Sequence, residues 1–347
     1  SQQQLSHEEA LQDTLVSILM SPQFCYRIDL LSDSDQPRPL DDFELASRLS
    51  FFLWASAPDA DLMQLAADGR LHLPDVLLEQ TRRMLADTRV RGLATEFAAN
   101  WLDFRRFEQH NSVDRQRFPS FDDALRAAMF EEPLRFFVDM AQHNHSTLDL
   151  LYAERTFVNR PLAEHYGLRD LPFKNVENST ENSSGEATAE ETTGDEPTVD
   201  DEWLEVSNAS AVGRGGLLPM AVFMTQNAPG LRTSPVKRGY WVVRRLLGER
   251  IAPPPPNVPE LPPDESLLGD LTLRETLAKH RDHPSCAGCH NRFDSIGLIF
   301  ENYGPIGELR TVDMGGRPVD TSAEFPDGSA RQGVDQLRDY LRQSRQT

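Results

Sequence analysis

Cysteine is scarce in this sequence, with three residues of this type in 347. Three thiols cannot form a disulfide framework, so the fold is expected to depend on its hydrophobic core. Cys25 lies alone in SPQFCYRID, and its apolar neighbours predict a buried thiol that packs as a small hydrophobic residue. The other two, Cys286 and Cys289, stand close together in HPSCAGCHNRF. Sulfur chemistry in this chain is therefore concentrated in one short segment.

Positive charge is also scarce. Lys and Arg number 35 against 55 Asp and Glu, and the formal net charge is −20. A protein that binds nucleic acid presents a basic surface to the phosphates, so this balance argues against a nucleic-acid partner and against docking on anionic lipid.

No apolar run is long enough to span a bilayer, and we expect no transmembrane segment. The opening residues, SQQQLSHEEA, do not resemble a signal peptide, and we interpret the chain as a mature or excised piece of a longer protein.

The first 170 residues show helical periodicity and no convincing strand alternation, and they predict a mainly α fold. Asp41 and Glu44 are spaced as a capping box at the start of one helix, and Pro74 suits the first turn of another. Residues 90–102 carry the clearest apolar stripe. Pro133 is expected to start a new helical segment or to kink the helix that contains it.

An acidic segment interrupts this pattern. From Glu177 to Glu202 there are ten acids and no base, which is half of the net charge. With almost no large apolar residue, the segment cannot bury enough surface to offset its ordering entropy. We predict an acidic, disordered linker over residues 173–206.

The segment Cys286-Ala287-Gly288-Cys289-His290 has the C-x-x-C-H pattern by which c-type haem is attached. The two thiols form thioethers with the haem vinyl groups, and the two residues between them let both sulfurs reach from one helical turn. The histidine that follows can direct its imidazole to the iron as the proximal ligand. The favoured interpretation is one haem c, held by Cys286 and Cys289 with His290 on the iron.

Other interpretations of the same residues stay open. A structural zinc site could combine Cys286 and Cys289 with two histidines among His280, His283 and His290, although the spacing differs from that of zinc fingers. A thioredoxin-like redox pair would require a preceding strand, whereas a helix from Leu267 to His280 is expected here. An incidental surface pair is the remaining alternative.

The surroundings of the motif supply candidates for a haem environment. Met314 is a weak candidate for the distal iron ligand, Met220 and Met224 are alternatives, and a five-coordinate iron is a further possibility. For each methionine, an ordinary core or surface role is the simpler interpretation. Basic candidates for the haem propionates and apolar candidates for a haem-facing wall are Lys279, Arg292, Arg310, Phe293, Ile296, Leu298, Ile299, Phe300 and Tyr303.

The stretch HRDHPSCAGCHNRFDSIGLIFENYGPIGELR resembles a signature of large multi-domain c-type haem proteins of planctomycetes and related bacteria, built from several domains of unknown function. RTSPVKRGYWVVRRLLG resembles the block just upstream in those proteins, and FELASRLSFFLWASAPDADLMQLAADGRL resembles their helical block. The sequence departs from the signature at Phe293-Asp294-Ser295, where Met-Asp-Pro is usual. A second fixed block of the family, of unestablished role, matches Arg232, Thr233, Ser234, Pro235, Arg238, Gly239 and Trp241.

The resemblance implies a mainly α chain in which a helical domain is followed by a loop-rich, mostly helical cytochrome c-like module. We divide it into the end of a preceding helical segment (1–39), a helical domain of unknown function (40–172), the acidic linker (173–206), a c-type haem module (207–310) and the truncated start of a C-terminal domain (311–347). The implied function is electron transfer with an unidentified redox partner. Because haem c is attached outside the bacterial cytoplasm, a periplasmic or other extracytoplasmic location is expected.

Two alternative functions follow from the same sequence. The cysteine–histidine segment could make a zinc-stabilised binding or scaffold protein, or the chain could be the accessory part of an enzyme that degrades an extracellular polymer. For the enzyme, Glu131, Glu132 and Glu301 are candidate acids, each interpreted more simply as structural. No nucleophile–base constellation accompanies them. We therefore leave open whether the chain is an enzyme and favour an electron-transfer or haem-binding protein.

Overall fold

The computed structural model describes residues 6–26, 38–173, 202–251, 261–281 and 284–343, without the side chains of residues 23, 280, 281, 284–287, 289 and 291. The fold is mainly α, as predicted, and the two small sheets of the described part have two strands each. The chain forms two compact units, residues 1–52 with 56–83, and residues 53–55 with 84–347. The predicted domain boundaries stay predictions.

The first unit is built from short helices with well-formed N-termini. The predicted capping box is confirmed, because the Glu44 amide donates to Asp41 Oδ1 at 2.7 Å and the Asp41 amide donates to Glu44 Oε2 at 3.0 Å. The carboxylate of Asp42 accepts the backbone N–H groups of Leu71 and His72. The helices are α1 (His7–Leu19), α2 (Pro22–Cys25), α3 (Asp42–Trp54), α4 (Ala60–Ala67) and α5 (Pro74–Ala86). The last residues of α3, from Leu53, and of α5, from Met84, belong to the second unit.

Cys25 is exposed, so the prediction of a buried thiol is wrong. The apolar residues beside it are also on the surface, with Phe24 62% and Tyr26 71% exposed. Its Sγ lies 3.0 Å from the carbonyl oxygen of Leu19. Apolar neighbours in the sequence indicate burial only where a second element covers them, and no residue of α1 is buried among those described.

The second unit holds the principal hydrophobic core. Its elements include two π-helical turns, Leu93–Ala98 and Val242–Leu246, and the 3₁₀ turns Thr88–Val90, Phe107–Gln109, Ala209–Val212 and Glu265–Leu268. The other elements are α6 (Ala99–Trp101), α7 (Asp123–Gln142), α8 (Asp149–Tyr152), β1 (Thr156–Val158), α9 (Arg160–His165), β2 (Leu204–Val206), α10 (Ala221–Gln226), α11 (Pro235–Trp241), α12 (Leu273–Arg281), α13 (Pro284–Leu298), β3 (Ser322–Glu324), β4 (Ala330–Gln332) and α14 (Gly333–Gln343).

The central helix α7 runs for 20 residues through Pro133. Of the two predicted outcomes, a new helical segment at this proline is wrong, because one helix continues through it. Met129, Phe130, Leu134 and Phe136 around it are buried in the core. Apolar burial on this scale outweighs the loss of one helical hydrogen bond, which explains why the helix continues.

The described part of this unit has two antiparallel strand pairs, of which β1 with β2 joins distant parts of the chain and β3 with β4 is a local hairpin. Strand β1 pairs with β2, with Phe157 opposite Glu205, and β3 pairs with β4, with Ala323 opposite Arg331. β2 lies in the last residues of the predicted acidic linker, and residues 174–201 of that linker lie outside the described residues. Within the described part of the chain, none of the helices combines the length and apolar composition that a membrane span requires.

Helices α11 and α13 pack closely because a glycine on each helix faces the backbone of the other helix. A Cβ atom at Gly239 would lie 1.9 Å from the carbonyl oxygen of Phe293, and one at Gly297 would lie 1.8 Å from that of Pro235. Both distances are far below van der Waals contact, so any larger residue would force the helices apart. This close packing fixes the position of α13, which carries the cysteine–histidine segment.

Candidate functional site

The C-x-x-C-H segment forms the first two turns of α13. The helix begins at Pro284, a residue suited to the first turn because its missing N–H has no helical partner there. The helical backbone holds Cys286 and Cys289 three positions apart, on successive turns of one face. The side chains of these two cysteines lie outside the described part of the structure, so their predicted roles stay predictions. Of this segment, His290 is the residue whose side-chain contacts are described.

His290 is held by a buried carboxylate one turn along the same helix. Its Nδ1 lies 3.0 Å from Asp294 Oδ1 and 3.1 Å from Oδ2. The Asp294 side chain is fully buried, and that of His290 is 13% exposed. When the carboxylate accepts the Nδ1–H, the imidazole lone pair resides on Nε2, which is the arrangement of metal-ligating histidines in proteins. The donor chemistry of this pair therefore fits an axial ligand to haem iron.

An aromatic pair extends from His290 to the surface. The Phe293 ring centroid lies 5.2 Å from that of His290, and the Tyr240 ring meets Phe293 edge-on at 6.1 Å. Phe293 is buried, whereas Tyr240 is 40% exposed. These rings, from α11 and α13, supply apolar surface beside the imidazole.

The other predicted wall residues are part of the hydrophobic core. Ile296, Leu298, Ile299, Phe300 and Tyr303 are each less than 5% exposed. They pack against the protein interior and so follow the simpler interpretation of an ordinary core. Among the described side chains, Phe293 contributes aromatic surface beside His290 and is itself in contact with Tyr240.

Arg238, from the second fixed block, is a buried arginine that binds backbone carbonyls. Its guanidinium donates to the carbonyl oxygens of Met224, Phe300, Tyr303 and Gly304 at 2.5–3.1 Å. Burial lowers the pKa of Arg238 to about 10, which still leaves it cationic at neutral pH. It links α10 and the end of α13 to the loop that follows, so it fixes the position of α13 from within the core.

The rest of that block has structural contacts as well. Ser234 caps α11 by accepting the Lys237 amide, and Pro235 occupies the first turn. Arg232 donates to the carbonyl oxygen of Pro262 at 2.7 Å. The Trp241 ring stacks 4.5 Å from Phe223. The contacts of this block are thus structural, since they cap α11 and connect it and its preceding residues to α10 and to Pro262.

A buried cluster of charges lies beyond the C-terminal end of α13. Arg310 contacts Glu265 Oε2 at 2.6 Å and Glu301 Oε2 at 3.3 Å, and Thr233 donates its hydroxyl to the same Glu301 oxygen at 2.8 Å. Burial raises the pKa of Glu301, against the effect of Arg310 and Arg238. Arg310, a candidate for binding haem propionates, is thus neutralised by protein carboxylates.

The candidate distal ligands occupy different environments. Met314 lies in a half-buried turn, and its backbone N–H donates to Glu265 Oε2 at 3.0 Å. Met220 and Met224 are buried in the core at 1% and 0% exposure. Their side chains fill the interior around α10, as the simpler interpretation expects. The described partners of His290 are instead Asp294 and Phe293.

The candidate acids are each held in a structural role. Glu131 forms a bidentate pair with Arg91, both oxygens at 2.6 Å. Glu132 is buried and accepts hydroxyl hydrogen bonds from Thr156 at 2.5 Å and Tyr166 at 2.6 Å.

Asp294 is the site residue that sequence reasoning missed. Its signal was a carboxylate four positions after a candidate ligand histidine, which brings the two together only if both are helical. The C-x-x-C-H pattern indicates one helical turn at the cysteines, and a helix that continues to Asp294 was not predicted. Without that helix, the spacing carried no meaning.

Comparison with known families matches two parts of the chain. Residues 40–168 match the PSD4 family, described as a protein of unknown function (DUF1592). Residues 214–313, which include the C-x-x-C-H segment, match the PSCyt3 family, described as a protein of unknown function (DUF1588). No curated protein and no solved structure matches the chain. The predicted resemblance is confirmed to this extent: the chain is multi-domain and contains two domains of unknown function.

Proposed function

We propose that this chain carries one covalently attached c-type haem and transfers electrons outside the bacterial cytoplasm. The observation that carries the proposal is the start of α13, where a C-x-x-C-H segment ends in a histidine held by the buried carboxylate of Asp294. A histidine oriented through Nδ1 is prepared for ligation through Nε2.

Each residue of the segment has a stated task in this proposal. Cys286 and Cys289 hold the porphyrin through thioethers, and His290 is the proximal ligand. Asp294 keeps the ring orientation fixed and places negative charge close to the imidazole, which favours the oxidised iron and lowers the reduction potential. A bound haem supplies the one-electron chemistry. Tyr240 and Phe293 contribute apolar surface, and the exposed edge of Tyr240 faces an incoming redox partner.

The direct test is intact mass together with a pyridine-haemochrome spectrum, on protein exported with the c-haem maturation system. We expect a covalent haem adduct with a two-thioether spectrum. His290→Ala should lose the native haem spectrum while part of the covalent attachment is retained. His72→Ala is the matched control, because His72 also pairs with an aspartate, Asp42, at 2.9 Å but is remote from the motif in the sequence.

Two results would contradict the proposal. One is a colourless protein of apo mass from cells in which a control cytochrome matures. The other is an unchanged spectrum in His290→Ala. A colourless protein with stoichiometric zinc and unfolding on chelation would instead support the zinc-stabilised scaffold.

A further inference from the structure

The end of α7 carries a second cluster of potential metal ligands, in the region that matches the PSD4 family. Asp139, His143 and His145 each offer one ligand atom, and these atoms lie within 4.8 Å of one another. Among the described residues, this is the set of three histidine, cysteine or acidic side chains that meets such a distance. The cluster is distant in sequence from the C-x-x-C-H segment.

The backbone brings the two histidines to the same carboxylate. α7 ends at Gln142, and the His145 amide closes the turn by donating to the carbonyl oxygen of Met140 at 3.1 Å. Between the histidines, Asn144 has a φ of 51°, a left-handed conformation that asparagine tolerates better than most residues. As a result, His143 Nδ1 lies 2.8 Å from Asp139 Oδ1, and His145 Nε2 lies 3.4 Å from Asp139 Oδ2.

The surrounding charges favour a cation at this position. Arg155 contacts Asp139 Oδ2 and Asp149 Oδ2, each at 3.0 Å, which holds both carboxylates in place. The three formal charges sum to −1, and the C-terminal end of a 20-residue helix adds partial negative charge. Asp149 also lies 3.9 Å from His145 Nδ1, so a carboxylate stands behind one ligand histidine, an arrangement that supports metal-bound imidazoles.

We propose that Asp139, His143 and His145 form a binding site for a divalent transition metal of the zinc class. Two imidazole nitrogens and one carboxylate oxygen are a ligand set typical of zinc, which takes four tetrahedral ligands. Water completes the coordination, because the His143 side chain is 64% exposed and that of His145 is 34% exposed. The site is independent of the haem proposal.

The test measures Zn²⁺ binding by isothermal titration to the full chain without an affinity tag. The Cys286→Ser/Cys289→Ser variant is used as the parent, so that the two thiols of the C-x-x-C-H segment do not contribute. We expect one equivalent of zinc, and a loss of at least tenfold in affinity in His143→Ala and in His145→Ala. His72→Ala, which removes a histidine from an isolated His–Asp pair, should bind as the parent does.

Two outcomes would overturn this proposal. One is a parent that binds no zinc, and the other is a His143→Ala/His145→Ala variant that binds as tightly as the parent. If the Cys→Ser parent fails to fold, the comparison is made in the wild-type chain, where the double histidine variant must lose one equivalent. Loss of that equivalent supports the proposal, and an unchanged stoichiometry contradicts it.

Discussion

Glu132 is a carboxylate that the fold keeps away from water, 1% exposed, between the hydroxyls of Thr156 and Tyr166. Burial raises its pKa to about 7, against a value of 4.5 in the unfolded chain. Between these values the folded state binds more protons than the unfolded state, so the free energy of unfolding falls as the pH rises from about 4.5 to about 7. The contribution is on the order of 1.4 kcal/mol per pH unit within this window.

Replacing Glu132 by Gln should remove this pH dependence, because the amide has similar shape and no charge. We expect Glu132→Gln to gain stability relative to wild type by a few kcal/mol between pH 5 and pH 8, with a difference near zero at the acidic end. Denaturant unfolding across that range measures it. Glu164→Gln, on the exposed part of α9, is the control and should follow the wild-type slope. Parallel pH profiles for Glu132→Gln and wild type would contradict the prediction.

At the residue scale, His290 was predictable from the sequence as a candidate iron ligand, but its pairing with Asp294 was not. A C-x-x-C-H pattern is local and visible without a fold. The pairing with Asp294 depends on a helix that begins at Pro284. Likewise, Asp41 with Glu44 was predictable as a cap because both residues lie within one turn. The ion pair of Arg310 with Glu265 was not predictable, since the two residues are 45 positions apart in the sequence.

At the scale of elements, the glycine contact between α11 and α13 yields a sharp prediction. Gly297→Ala should destabilise the second unit by about 3 kcal/mol or more, because the new Cβ would lie 1.8 Å from the Pro235 carbonyl oxygen. Gly288→Ala in the same helix is the matched control. Within the described part of the chain nothing lies within 4 Å of its Cβ position, and alanine is the better helix former, so the stability of this variant should rise by up to about 1 kcal/mol.

Thermal unfolding of the two variants under identical conditions checks this prediction. A Gly297→Ala variant as stable as wild type would mean that the helices can separate at little cost. It would also mean that α11 does not fix the position of the cysteine–histidine segment.

Helix positions were predictable where caps and prolines mark them, as at Pro74 and Ser234. The form of the helix was less predictable. Residues 90–102 show a helical stripe, yet the chain forms a π-helical turn over Leu93–Ala98. There, Gly92 lies against the Trp54 backbone, with a Cβ position 2.3 Å from the carbonyl oxygen. Such a close approach is a tertiary constraint, and the periodicity of the sequence does not record it.

At the scale of the whole molecule, two tryptophans join the regions that match different families. Trp101 Nε1 donates to the carbonyl oxygen of Arg245 at 2.8 Å, and Trp241 Nε1 donates to that of Leu102 at 2.8 Å. Trp241 therefore binds the backbone next to Trp101, and Trp101 binds the backbone four residues after Trp241. Residues 84–168 of the first region and all of the second region lie in the same compact unit.

The distribution of charge over the whole chain carries the last prediction, which rests on the proposed electron transfer. Replacing the nine acids from Glu177 to Asp201 by Gln or Asn changes the formal net charge from −20 to −11. Oxidation of the reduced haem by a cationic ruthenium complex should then depend about half as steeply on ionic strength, measured near 10 mM salt where the Debye length is about 30 Å. The thermal midpoint should stay constant or rise, because self-repulsion decreases.

Replacing nine Ser, Thr or Asn residues of the same segment by Gln or Ala keeps its charge and is the control. An unchanged salt dependence in the neutralised variant would show that the acidic segment does not act on the electron-transfer surface, and would leave the folded units as the source of any attraction for a basic partner.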